Sequence, residues 1–485
     1  MYVYLDTHYI EMRRVADLLA REEGYRPVFM FAYRYDAVET DIQASVGAGY
    51  ECIGPKGEPI SGSSVGVDAA GNQSSSAQRG LWARLLDRIT SRLPSRLRRF
   101  VGSMRSVPPL QRALSGIFPR LGLYVEHLKS QEALAERIVA AVSPAIVVLP
   151  EDNIDYLTGA LIRAARRRGI GTLIVPYTLA NAEEIAEAYW HNEDYTLARW
   201  QNRIAGYLYP RWVYEHRGRR LIPLPADRIV ATELLGLSPP LPWIINSGDA
   251  HAIAVEGPFM RQYYLEAGLP EEKLVVTGAL YDDVLHAQMK DARARARDVR
   301  VELGVDPDRP LLLCALPPNQ YRSGRPGAEF PTYEAMIRAW ASLLLEADAF
   351  SVVVKLHPRT LRSEVPYLEQ DYGLRLSSVD TAALIPHCDL YVASVSATIR
   401  LAVASGKPVI NYDSYRFRYR DFSSVPGIIT VEDAREFSAA LRKLADPYVR
   451  GSMARRQREF ADSANIIDGK AGQRLLGLIN SLARR

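Results

Sequence analysis

A run of β-branched residues ends in a histidine, a proline and an arginine: Ser351-Val352-Val353-Val354-Lys355-Leu356-His357-Pro358-Arg359. The apolar part reads as a buried parallel strand, and ligands of open α/β sheets gather at the carboxyl ends of such strands. A histidine placed there donates to a phosphate oxygen, Arg359 adds a fixed positive charge, and Pro358 restricts His357 to an extended backbone. The plainer alternative is a surface turn with an incidental histidine. Lys355, inside the strand, is either a further cation for the same ligand or an edge residue.

One strand later, Asp389-Leu390-Tyr391-Val392-Ala393 leads into Ser394-Val395-Ser396-Ala397-Thr398. Hydroxyls at a strand-to-helix turn offer side-chain and backbone donors to an anion. Ordinary capping needs one of Ser394, Ser396 and Thr398, not all three. Pro317-Pro318-Asn319-Gln320 follows another apolar run and opens the loop Arg322 to Gly327, which either closes over phosphates or simply connects. The strand tip Asn411-Tyr412-Asp413 is placed to touch the same ligand.

In the first half, Val147-Val148-Leu149-Pro150 ends in Glu151-Asp152-Asn153. Glu151 and Asp152 at a strand end suit deprotonation of an acceptor hydroxyl. The competing reading makes Asp152 or Asn153 a helix cap. Glu256 with Gly257, and Asp6, Thr7 and His8, end other strands in the same way and stay as alternatives. His251 has no pattern around it and reads as structural.

Several chemistries are excluded by missing motifs. There is no GxxxxGK[ST] of a nucleoside triphosphatase loop and no GxGxxG after the first strand. No HExxH or compact His/Cys/carboxylate cluster argues for a catalytic metal, and no GxSxG for an acyl hydrolase. Cys52, Cys314 and Cys388 are too few and too far apart for a disulfide framework, which fits a reducing, cytoplasmic setting. Met1 leads straight into Tyr2-Val3-Tyr4-Leu5 without the features of a secretory leader, and no apolar run of about twenty residues spans a membrane.

The elements that position these residues follow from alternating short apolar runs and helical periods, the mark of parallel sheets with crossover helices. Strands are expected at Tyr2 to Leu5, Val28 to Phe31, Ala145 to Leu149, Thr172 to Val175, Ala252 to Val255 and Lys273 to Val276. In the second half they are expected at Leu311 to Ala315, Val352 to Leu356, Leu390 to Ala393 and Val409 to Asn411. Helices are expected at Tyr9 to Glu23, Ile154 to Arg168, Pro258 to Ala267, Ala287 to Arg300, Tyr333 to Leu345, Thr381 to Pro386, Ala397 to Ser405 and Ala434 to Leu444. The chain therefore reads as α/β, with two doubly wound Rossmann-like domains facing a central cleft. The first covers 1–283, a connector 284–308, the second 309–465, and a terminal helix 466–485 returns toward the first.

The 485 residues, about half apolar and a quarter charged, suffice for two cores. Sixty basic against fifty-six acidic residues give a net charge of +4, too balanced to announce a nucleic-acid binder. Within an insertion at about 61–130, Ser61 to Gly80 is rich in Gly, Ser, Ala and Gln. Between Arg79 and Arg120 ten arginines face one acid, Asp87. Leu81, Trp82, Leu85, Leu86 and Ile89 recur at helical spacing among them. That composition suits an anionic membrane surface through residues 79–120; its alternative is a helical insertion packed on its own domain.

Taken together, Val276-Thr277-Gly278-Ala279-Leu280-Tyr281-Asp282, Lys355-Leu356-His357-Pro358, His387-Cys388-Asp389-Leu390-Tyr391-Val392-Ala393-Ser394 and Gly406-Lys407-Pro408-Val409-Ile410 resemble the GT-B glycosyltransferase superfamily. The likeness is to sialyltransferases, capsule Kdo transferases and teichoic acid glycerophosphotransferases of bacterial surface polymers. Ile467-Asp468-Gly469-Lys470-Ala471 looks like the ending of capsule and lipopolysaccharide proteins. The resemblance covers residue 250 onward. It implies that His357 holds the phosphate of a nucleotide-sugar donor, a CMP-sugar first of all, with Ser394, Ser396 and Thr398 in support. It also implies a carboxylate base, which falls on Asp152 or Glu151, although Asn153 stands where a glycine is usual. A glycan or lipid-linked acceptor of the cell envelope would be the partner, at the inner face of the plasma membrane, with no cofactor, no essential metal and no nucleic acid. UDP-GlcNAc 2-epimerases share the shape, but they carry a Gly-rich turn followed by paired glutamates where this chain has Ser394-Val395-Ser396-Ala397-Thr398-Ile399-Arg400. A non-catalytic scaffold is the remaining alternative.

Overall fold

The computed structural model describes residues 1–22, 24–33, 35, 37–60, 116–176, 182–321, 327–357, 360–419, 422, 424–464 and 467–484. The arginine-rich stretch up to residue 115, Pro358, Arg359 and the loop 322–326 lie outside the described residues. The chain divides into two compact units. One takes Met1–Ile253, Ala267–Lys273 and Ile479–Arg485, the other Ala254–Glu266 and Leu274–Leu478. Both are α/β, with parallel strands flanked by helices, as the alternating pattern of the sequence predicts.

The first unit contains β1 (Tyr2–Val3), β2 (Val28–Phe31), β3 (Glu51–Ile53), β4 (Ile146–Leu149), β5 (Gly171–Ile174), the hairpin β6 (Tyr214–His216) and β7 (Arg219–Leu221), and the start of β8 (Ala252–Val255). β1, β2 and β3 pair in parallel, as do β4, β5 and β8, with Leu173 opposite Ala252 and Ile174 opposite Ile253. β1 touches β4, so the chain runs outward from β1 through β2 to β3 and then returns to start β4 on the other side. That reversal creates a crevice at the carboxyl ends of β1 and β4, where ligands of such sheets bind. Gly171 lets the end of the terminal helix come close: a Cβ there would lie 2.4 Å from the Leu482 carbonyl oxygen.

The second unit holds β9 (Leu274–Val276) and a six-stranded parallel sheet of β10 (Leu311–Ala315), β11 (Ser351–Lys355), β12 (Arg375–Leu376), β13 (Leu390–Ala393), β14 (Val409–Tyr412) and β15 (Ile428–Val431). The order β12-β11-β10-β13-β14-β15 is doubly wound, with its reversal between β10 and β13. Both faces are covered, which explains the unbroken apolar runs. Trp340 stacks on Tyr412 (4.9 Å between centroids) on one face, while Leu313, Tyr391 and Ile399 pack with Leu285 on the other.

The expected strands are found within about two residues of their bounds, whereas β3, the hairpin β6–β7, β12 and β15 were not expected; the helix Tyr333–Leu345 matches, and other helix ends differ for local reasons. The first helix runs Asp6–Leu19 rather than from Tyr9, so His8 lies in its first turn. The helix expected from Ile154 begins at Thr158, because Asn153 Oδ1 accepts the Asp155 N–H (3.0 Å) and holds a turn. The helix expected from Ala397 to Ser405 is only Ile399–Ala404, since Ser396 Oγ accepts the Thr398 N–H and Val395 is left-handed. The connector helix is longer than expected, Leu280–Glu302, with Asp282 accepting the Ala279 N–H at its start (2.9 Å).

Several residues of the recognised motifs hold this second unit together. Asp389 accepts the Leu311 N–H and pairs with Arg300, both at 2.7 Å, while His387 meets Gln288 Oε1 at 3.2 Å. These contacts fasten the helix Leu280–Glu302 to the sheet. Asp283 accepts the N–H groups of Ala471 (2.9 Å) and Gly472 (2.8 Å), and Arg474 donates to the Thr277 carbonyl (2.7 Å). Gly278 and Gly469 are both left-handed, at φ +79° and +73°, and a Cβ on either would strike Ala471 or His286. The two motif segments thus form a clasp. Among the described residues no helix is long and apolar enough to cross a membrane.

Candidate functional sites

In the first unit, the crevice between β1 and β4 gathers His8, Glu151, Asp152 and Asn153. Glu151 is buried, with His8 Nε2 3.8 Å from its Oε1 and Asn153 Nδ2 donating to the same oxygen at 3.2 Å. His8 is itself fully buried (0% exposed), and its Nδ1 accepts the Tyr4 N–H (3.3 Å), which leaves the ring proton on Nε2, toward Glu151. Burial lowers His8 to about 3. Burial, helped by the Asp152 charge and opposed by the Asn153 hydrogen bond, raises Glu151 to about 7.

Asp152 differs from its neighbour in reaching a cavity of about 150 Å³, which Asn153, Tyr156, Arg163, Tyr189 and Arg228 also line. Burial raises its carboxyl to about 6, against the opposing pull of Arg163 and a hydrogen bond from Thr158. Its backbone is pinned by Asn246: the Asp152 N–H donates to Asn246 Oδ1 (2.7 Å) and the Asn246 N–H donates back to the Asp152 carbonyl (3.0 Å). Gly248 sits so close that a Cβ there would lie 1.8 Å from Asp152 Oδ2. A carboxylate held firmly in a cavity, with its proton affinity raised toward neutrality, has the properties of a general base. Asp152 and Asn153 do not cap the helix that follows, whose first turn has no side-chain cap. Tyr4 stacks between Tyr33 (4.8 Å) and Tyr156 (4.1 Å) beside this crevice.

In the second unit, the register places Ala315 of β10 opposite Lys355 of β11 and Ala393 of β13. The loops after all three therefore leave the sheet at one edge, on both sides of the reversal, and carry Asn319, Gln320, His357, Ser394, Ser396 and Thr398. Ser394 is 7% exposed, and among the described residues its Oγ has no hydrogen-bond partner. Val395 follows at φ +42°, a costly conformation for a β-branched residue, and its N–H donates to Asn411 Oδ1 (2.8 Å). Ser396 Oγ lies 2.7 Å from Thr398 Oγ1, which lies 2.5 Å from the Tyr391 hydroxyl. The hydroxyls are thus unequal: Thr398 is bonded internally, and Ser394 is unsatisfied.

The other expected residues occupy varied settings. His357 is half-buried, and its carbonyl accepts the Thr360 N–H (2.8 Å). Lys355 donates to the Ser377 carbonyl (2.9 Å), and burial lowers its pKa. Asn319 is exposed and its Oδ1 accepts the Tyr321 N–H (3.0 Å), shaping its own loop. The Gln320 N–H donates to the Tyr415 hydroxyl (3.2 Å). Asn411, Asn246 and Gly248 were not singled out as site residues from sequence alone, although Asn411 lay in a strand tip placed near the ligand.

No family profile and no curated protein sequence matches the chain. Among solved structures, it is similar to the wall teichoic acid polymerase TagF, at 16% identity and a TM-score of 0.36 over 48% of this chain. The match spans 59% of the length of that polymerase chain. It is also similar to an S. aureus MnaA–UDP co-structure, at 13% identity and a TM-score of 0.49, covering 100% of this chain and 96% of that one. A third likeness is to UDP-GlcNAc 2-epimerase from Neisseria meningitidis bound to UDP-GlcNAc, at 14% identity, a TM-score of 0.46 and coverage of 98% and 97%.

Proposed function

We propose that this chain is a glycosyltransferase that moves a sugar from a nucleotide-sugar donor, a CMP-sugar foremost, to a hydroxyl of a cell-envelope glycan or lipid-linked acceptor. The observation that carries the reading is Ser394, a buried hydroxyl without a partner at the reversal of a doubly wound sheet. Several buried side-chain polar atoms lack a partner among the described residues, and Ser394 Oγ is the one at this reversal, where a ligand acceptor such as a phosphate oxygen would satisfy it. His357 and Ser396, on loops leaving the same sheet edge, supply further donors, with Arg359 adding charge.

Asp152 is the general base. It removes the proton of the acceptor hydroxyl as that oxygen bonds to the anomeric carbon. The anomeric carbon–phosphate oxygen bond breaks, and its electron pair leaves on the nucleotide phosphate. Donors around that phosphate accelerate the step because they meet charge as it develops. Glu151, enclosed by His8 and Asn153, acts behind Asp152 rather than on substrate. The turn Ser394–Arg400 contains no carboxylate, which favours transfer over epimerisation.

The test is a thermal-shift panel with CMP, CDP, UDP, GDP and dTDP on wild type and His357→Ala, followed by donor turnover with and without acceptor. A ligand at a hundred times its Kd stabilises by about 2.7 kcal/mol. Stabilisation by CMP, its loss in the variant, and acceptor-dependent turnover support the reading. Turnover without acceptor would replace it with an epimerase or hydrolase, and silence from all five nucleotides would replace it with a scaffold.

A further inference from the structure

Between Arg199 and Arg220 there are six arginines and one acid, Glu215, interleaved with Trp200, Tyr207, Tyr209, Trp212 and Tyr214. Folding sorts them. The helix Trp200–Leu208 turns Asn202, Ala205 and Gly206 inward. Asn202 Nδ2 ties the helix down by donating to the carbonyls of Thr196 (2.7 Å) and Asp194 (3.0 Å). Gly206 permits a close approach, since a Cβ there would lie 2.9 Å from Val213, at the start of the β6–β7 hairpin. Tyr209 and Trp212 are buried in the core behind it.

Outside, Arg199 pairs with Asp194 and Arg211 with Glu233, while Arg203 stands between two aromatic rings. Trp200, Arg203 and Tyr207 recur at steps of three and four residues and so share one helical face. Trp200 is 47% and Tyr207 70% exposed, with Arg199, Arg203 and Arg211 exposed around them. Single exposed apolar residues are commonplace. Two amphipathic rings two turns apart with a cation between them are the composition of a helix lying in a lipid interface. The core under this helix includes Phe118 and Leu121.

We propose that the face formed by Trp200, Arg203 and Tyr207 docks on an anionic lipid bilayer. The rings sit at headgroup level and the Arg203 guanidinium meets a lipid phosphate. The surface is independent of the reaction proposed above.

The test uses the full chain in flotation with phosphatidylcholine vesicles with and without phosphatidylglycerol, at low and high salt. Wild type floats with the anionic vesicles, less so at high salt, and not with phosphatidylcholine alone. Arg203→Ala weakens partitioning about fivefold and Trp200→Ser with Tyr207→Ser roughly tenfold, measured at a temperature where thermal melts show each variant folded. Brominated lipid quenches tryptophan emission, and Trp200→Phe removes that quenching. Flotation of the folded double variant equal to wild type overturns the proposal. So does failure of wild type to float, or a dimer of wild type that the double variant dissociates, which would make the face a contact between copies.

Discussion

Arg400 Nη2 lies 2.7 Å from Asp282 Oδ1, joining residues 118 positions apart, and Asp282 is only 1% exposed. Glu256 stands on the other side of the same guanidinium at 3.4 Å and accepts the Tyr281 hydroxyl (2.5 Å), while Tyr281 lies under the guanidinium carbon at 4.9 Å. One cation thus holds two carboxylates and a phenol out of water within the second unit.

Removing one member of such a cluster is far costlier than the cluster is stabilising, because the others remain buried and uncompensated. Arg400→Met is therefore expected to destabilise by about 3–5 kcal/mol. Arg338→Met, which breaks an exposed pair with Asp371 at 3.0 Å, should cost less than about 1 kcal/mol. Urea unfolding of the two variants makes the comparison. Equal, small shifts would mean that water reaches the cluster.

The clasp gives a second expectation. Asp283 receives the first two N–H groups of the terminal helix Ala471–Ala483, so it does the work of a helix cap from a distant part of the chain. Asp283→Ala should cost about 1–2 kcal/mol, the upper range for a lost cap, and should leave nucleotide-induced thermal shifts intact. A variant that melts normally but no longer responds to nucleotide would place Asp283 in the binding site instead.

The central strands were readable because parallel strands covered on both faces are written as continuous apolar runs, while the edge strands β3, β12 and β15 were missed. Leu311–Ala315, Leu390–Ala393 and Ala252–Val255 coincide with their expected bounds. The helix Tyr333–Leu345 was equally readable, but other helix ends were not, because side-chain hydrogen bonds such as those of Asn153 and Ser396 decide them and leave no periodic trace. Within the motifs, Asp389 holds a helix to the sheet and Thr398 is bonded to Tyr391, contacts that spacing alone does not reveal. The partners of Asp152 were hidden for a different reason. Asn246 and Gly248 lie about a hundred positions away in an irregular segment, and only the crevice between β1 and β4 reveals what they contact.

Glu151 and His8 predict a pH signature. Burial raises Glu151 from 4.5 to about 7, so the native state holds that proton more tightly than the unfolded chain. Its stabilising contribution is present below about pH 4.5 and lost as pH rises to about 7. Asp152, raised to about 6, adds to the same trend between about pH 4 and 6. His8 acts oppositely: with its pKa lowered to about 3, its contribution is present above about pH 6.5 and lost as pH falls. Glu151→Gln should remove roughly 3 kcal/mol of the decline between pH 4.5 and 7. His8→Phe should steepen that decline. Unfolding midpoints across this range check both, and matching profiles for Glu151→Gln and wild type would show that Glu151 titrates normally.

Ser394 separates stability from binding most sharply. Its hydroxyl is buried and unpaired, so the folded chain without ligand bears the cost of desolvating it and gains no hydrogen bond. Replacing it with alanine removes that cost and alters little else, because the side chain stays small and the Val395 N–H keeps its bond to Asn411. Ser394→Ala should therefore be as stable as wild type or more stable by about 1 kcal/mol. If the hydroxyl donates to a bound phosphate, the same substitution should weaken nucleotide affinity about tenfold, the loss expected for a hydrogen bond to a charged group. Thr398→Val supplies the contrast: it breaks a bond to Tyr391 and should lower stability by about 1 kcal/mol, with a smaller effect on affinity. Calorimetric titration with CMP alongside thermal melts distinguishes the two. A Ser394→Ala protein that binds nucleotide as tightly as wild type would mean that the empty hydrogen bond at the β10–β13 reversal is not completed by the donor phosphate.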